Sequence, residues 1–119
     1  LVSADRIVIK FAPEANILGA APLHTLAERN KITPKTRDLA FKLLRNISKT
    51  IAKATPSDIE IGQVTLEMTC SSKNLTVVVV LENHGSLTLS AAKQIQNLHH
   101  SISVKPARRK VSFELPSHL

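Results

Sequence analysis

The chain has 119 residues, 43% of them hydrophobic, and its 16 Lys and Arg against 9 Asp and Glu leave a net charge of +7. This length suits one domain with one core, so residues 1–119 read as a single domain, too apolar for a disordered segment. No apolar run approaches the roughly 18 residues of a membrane helix, so no membrane span is expected.

Three Phe with no Tyr or Trp speak against a platform for stacking bases. The basic excess favours a nucleic acid or an acidic protein as partner. Cys70 stands alone, which rules out an intrachain disulfide, reads as a small core hydrophobe and fits an intracellular compartment, cytoplasmic or nuclear. The chain opens on Leu1 with no basic-then-apolar leader, and the expectation is a domain excised from a longer chain or a processed product.

Residues 6–11 alternate, with Ile7, Ile9 and Phe11 in one phase and Arg6, Val8 and Lys10 in the other, the pattern of a half-buried strand. Residues 12–31 are broken by Pro13, Gly19 and Pro22, and short helices are expected around 14–18 and 23–29. Thr33-Pro34 is a helix start, Thr33 as N-cap and Pro34 at the first helical position. The helix should run to about Ala54, because Pro56 turns Thr55 away from helical geometry. Leu39, Leu43, Ile47 and Ile51 form its apolar stripe. Lys35, Lys42, Arg45, Lys49 and Lys53 gather on the opposite side, interrupted only by Asp38.

Residues 59–70 read as a strand with Leu66, Met68 and Cys70 on one face and a bulge expected at Gly62. A polar loop at 71–74 leads to a strand over 75–82 that is apolar in both phases, hence central in its sheet. A second helix is expected at about 87–101. The tail alternates again on either side of the basic hexapeptide from Lys105 to Lys110, which predicts a C-terminal hairpin tipped by Arg108, Arg109 and Lys110. The expected fold class is α+β: a mainly antiparallel sheet with two principal helices on one face, in the order β-α-β-β-α-β with a C-terminal hairpin.

Two basic groups carry the functional expectation. The helix face of Lys35, Lys42, Arg45, Lys49 and Lys53 is a strip about 30 Å long at 1.5 Å per residue, able to follow a run of phosphates. The hairpin tip of Arg108, Arg109 and Lys110 is the second. The competing reading of each is a solvated surface. His84, His99 and His100 with a neighbouring cation hold the parts of a metal-independent RNase, though no spacing demands it. Zinc spacings are absent, and the three glycines (19, 62 and 85) make no phosphate-binding loop, so neither a metal nor a cofactor is expected.

Three segments resemble known families. Ile32-Thr33-Pro34 ahead of a basic helix resembles ribosome-hibernation factors, which implies contact with ribosomal RNA. Ile61-Gly62-Gln63-Val64-Thr65-Leu66, then residues 75–83 and a helix, is similar to the C-terminal domain of flagellar hook-length and type III needle-length control proteins, which implies an assembly role. Lys110-Val111-Ser112-Phe113 is similar to the docking motif for protein phosphatase 1. The leading expectation is a non-catalytic module contacting nucleic acid, most of all RNA backbone. A protein-interaction or assembly domain, using an edge strand or the second helix, comes next, and a small RNase third.

Overall fold

Strand periodicity sorts the sheet's side chains into two faces, and helices cover one of them. The computed structural model describes residues 5–11, 20–54, 64–81, 89–105 and 110–119. Its elements are β1 (Asp5–Phe11), α1 (Ala20–Asn30), α2 (Pro34–Ala54), β2 (Val64–Cys70), β3 (Asn74–Leu81), α3 (Leu89–Gln96), β4 (Ile102–Lys105) and β5 (Lys110–Pro116). The five strands form one sheet in the order β1-β2-β3-β5-β4, antiparallel throughout. With helices on its core face this is the expected α+β class; among the described residues it carries the two principal helices and the one expected over 23–29.

Leu66, Met68 and Cys70 of β2, Leu75, Val77, Val79 and Leu81 of β3, and Val111, Phe113 and Leu115 of β5 are all buried on that face. Leu23 and Leu26 of α1, Ala40, Leu43, Leu44 and Ile47 of α2, and Ile95 of α3 close over them in one cluster. Each buried Leu or Ile contributes about 1.5–3 kcal/mol by leaving water. The other phase of β3, Thr76, Val78 and Val80, is only partly exposed, yet no described element covers it. The apolar character of both phases marked β3 as central, and it is the middle strand. Among the described residues, only neighbouring strands flank its second face.

The helix boundaries follow from local chemistry. At the end of α1, Ile32 N–H donates to the Ala27 carbonyl at 3.0 Å and Lys31 N–H to that of Glu28 at 3.4 Å. That is a Schellman cap, and it places Lys31 in the left-handed region at φ 53°. The buried Ile32 and Ala27 supply its apolar contact. The expected helix at 23–29 lies inside α1, and the one at 14–18 lies outside the described residues. Arg29 grips Asp5 through Nε at 2.8 Å and Nη2 at 2.5 Å, and Asn30 Nδ2 adds a third bond at 3.0 Å. The Asn30 bond first, and then Arg29, hold the Asp5 carboxyl below its usual range. This ties the start of β1 to the end of α1.

The helix α2 begins where Thr33-Pro34 predicts. Thr33 Oγ1 accepts the Thr36 N–H at 3.4 Å and the Leu119 N–H at 3.1 Å. Thr36, fully buried, donates its hydroxyl to the Pro116 carbonyl at 2.8 Å, and Thr33 N–H reaches the Ser117 carbonyl at 3.2 Å. Residues 116–119 thus clasp the first turn of α2. Ser117 also donates Oγ to the Ser71 carbonyl at 2.9 Å, which joins the same clasp to the β2–β3 turn. Cys70 is buried beside it, and burial pushes its thiol up, as suits a core residue.

Two boundaries differ from the sequence reading. β2 begins at Val64; residues 59–63, with the bulge expected at Gly62, lie outside the described residues. α3 ends at Gln96, five residues short of 101, because the chain tightens into turns: Leu98 N–H donates to the Ile95 carbonyl and Ile102 N–H to that of His99. The Gln96 side chain bonds the Ile102 carbonyl, and Ile102 starts β4, where the alternation of the tail begins.

Candidate functional site

At 100° per residue, Lys35, Lys42, Arg45 and Lys49 fall within a sector of about 80° of α2, opposite the buried Ala40, Leu43 and Ile47. All four are exposed. None has an ion-pair partner among the described residues, whereas Asp5, Glu28 and Glu67 each meet a basic side chain of their own: Arg29, the His24 ring and Arg6, at 2.5, 3.0 and 3.0 Å. Asp38 lies within the strip, 3.6 Å from Arg37 Nε. Lys42, Arg45 and Lys49 surround a shallow depression of about 450 Å³, whose other walls are Asp38, Phe41 and Asn46. Such a site offers fixed positive charge, hydrogen-bond donors, one amide and the Asp38 carboxylate at its margin, a balance that suits holding an anion.

Sequence periodicity located this strip because the charges sit one helical turn or two apart on a helix whose apolar stripe is unambiguous. It passed over Phe41 and Asn46, which flank the strip; neither carries charge, and Phe41 packs partly against the core. Lys53 belongs to α2 by its backbone, and its side chain lies outside the described residues.

The hairpin tip is a different matter. β4 and β5 pair with Lys105 opposite Lys110 and Val104 opposite Val111. Because Val111 is buried, alternation puts Lys110 and Lys105 on the sheet face away from the helices. Lys110 therefore does not join the α2 strip. Arg108 and Arg109 lie outside the described residues. The signal for Lys105 was the alternation of Ile102 and Val104 against Ser103 and Lys105.

His84 lies outside the described residues. His99 and His100 stack with ring centroids 4.2 Å apart. His99 Nδ1 accepts the Ser101 N–H at 3.1 Å and lies 2.7 Å from Ser101 Oγ, which fixes the neutral ring with its proton on Nε2. Burial, and then His100, push its pKa down. The pair builds the turn into β4. Among the described residues no three His, Cys, Asp or Glu side chains converge on a metal-sized site, and no helix there is long and apolar enough to cross a membrane.

No protein-family model matches the chain, and a search of curated proteins finds no match either, so the three segment resemblances stay local.

Proposed function

We propose that this chain is a non-catalytic binding module that lays the basic face of α2 along a nucleic-acid backbone, RNA above all. The observation that carries the reading is that Lys35, Lys42, Arg45 and Lys49 make no ion pair among the described residues. A solvated helix face ordinarily mixes signs to gain ion pairs and limit repulsion. Here, among the described residues, Asp5, Glu28 and Glu67 meet partners outside the strip, Asp38 alone interrupts it, and like charges stand together on one rigid element. Phosphates relieve that repulsion and release their counterions.

The test is fluorescence anisotropy of labelled RNA across a salt series. Four phosphate contacts give a slope of log K against log salt of about −3 to −4. Lys42→Glu, Arg45→Glu and Lys49→Glu together should abolish binding while leaving circular dichroism unchanged, since all three side chains are exposed. Absence of binding near 0.15 M salt, roughly the physiological value, sinks the reading.

A second reading, a protein-interaction module, is favoured by one feature. β1 is a sheet edge, and Val8 on it is 48% exposed. Unpaired backbone on such an edge accepts a strand from a partner. Under this reading an acidic partner binds through β1, and the triple reversal has little effect.

A further inference from the structure

Resting on the nucleic-acid reading, we infer that the α2 face takes duplexes in preference to single strands and reads their backbone without sequence. Three features of the site lead there.

The first is the aromatic supply. Proteins that hold single strands stack successive bases on successive rings. Phe113 is buried in the core and Phe41 packs partly against it, so the strip offers at most one partly covered ring. Phe11 is on β1, a different element, and the chain has no Tyr or Trp. The second is rigidity. α2 is fixed by Ala40, Leu43, Leu44 and Ile47 beneath it and by the clasp on Thr33 and Thr36 at its start. Lys35 to Lys49 is a straight line of charge about 21 Å long at 1.5 Å per residue. A stiff partner meets a stiff line with little ordering cost, whereas a flexible strand must be ordered along it. The third is charge density. A duplex carries one phosphate per about 1.7 Å of axis, twice the density of one strand, and releases more counterions per contact. Lys42, Arg45 and Lys49 carry donors but no acceptors, which match the phosphate oxygens that repeat along any duplex backbone whatever its sequence.

The experiment measures anisotropy with four probes: RNA and DNA duplexes of about 20 base pairs, two helical turns, and oligouridine and oligothymidine of equal length. Duplex affinities at least tenfold above those of the homopolymers at one salt concentration support the inference. Homopolymers binding as tightly as duplexes overturn it and leave the nucleic-acid reading standing. A tenfold difference between duplexes of unrelated base sequence overturns the backbone-only part. Failure of all four probes to bind overturns the underlying reading.

Discussion

Lys31 occupies a backbone position that glycine would fill without strain. Its φ of 53° lies in the left-handed region, where a Cβ costs roughly 1–2 kcal/mol. The Schellman bonds from Lys31 and Ile32 hold it there, and the apolar contact of Ile32 with Ala27 offsets the strain. The side chain is exposed and makes no ion pair among the described residues. Lys31→Gly should therefore raise stability by about 0.5–1 kcal/mol, the strain relieved less the extra freedom gained by the unfolded chain. Urea unfolding with a higher midpoint and unchanged slope is the expected outcome; an unchanged or lower midpoint contradicts it. This cap also shows a limit of reading at the residue scale. A glycine at position 31 would have announced the end of α1, and a lysine announces nothing, so the boundary between α1 and α2 was visible only from the α2 side.

At the scale of elements, legibility follows how local the cause is. The bounds of α2 were written in Thr33, Pro34 and Pro56, and the strands in the alternation of Leu66, Met68 and Cys70 or of Val111, Phe113 and Leu115. What stayed hidden was non-local. β5 inserts between β3 and β4 through pairs as distant in the chain as Val77 and Phe113, which no window of sequence displays. The early end of α3 depends on Gln96 and His99 bonding to residues 101 and 102, although the apolar spacing alone would carry a helix to Ile102. The clasp on α2 is of the same kind. Thr33 was legible as an N-cap, but its second donor comes from Leu119, at the far end of the chain. An ordinary N-cap is worth about 1 kcal/mol, and the Leu119 N–H keeps a second acceptor in Thr36 Oγ1 at 3.1 Å when this hydroxyl is removed. Thr33→Ala should accordingly cost about 1 kcal/mol, as an ordinary cap does, and Thr33→Ser should restore most of it. Equal destabilisation by alanine and serine, measured by urea unfolding, would place the effect in the methyl group instead.

For the molecule as a whole, the decisive fact is that the sheet separates Lys105 and Lys110, the described cations of the hairpin, from the α2 strip. The sequence marked both and had no means to say whether they converge, because that depends on the parity of Lys110 in β5 relative to a helix packed on the far face. Val111 is buried under the helices, so Lys110 and its cross-strand neighbour Lys105 point away from the α2 strip. One straight duplex lying along α2 does not reach both. Lys105→Gln with Lys110→Gln removes two positive charges from the field of the molecule and leaves the proposed interface intact. That pair should leave the slope of log K against log salt unchanged, and shift affinity only slightly through the long-range potential, which salt screens over about 8–10 Å. Lys42→Gln with Lys49→Gln removes the same charge from α2 and should reduce the slope by about 2, one for each phosphate that no longer meets a cation. Equal net charge with unequal slopes separates direct phosphate binding from general basicity. If the two double variants lower the slope alike, binding follows the overall charge of +7 and not the line of cations on α2.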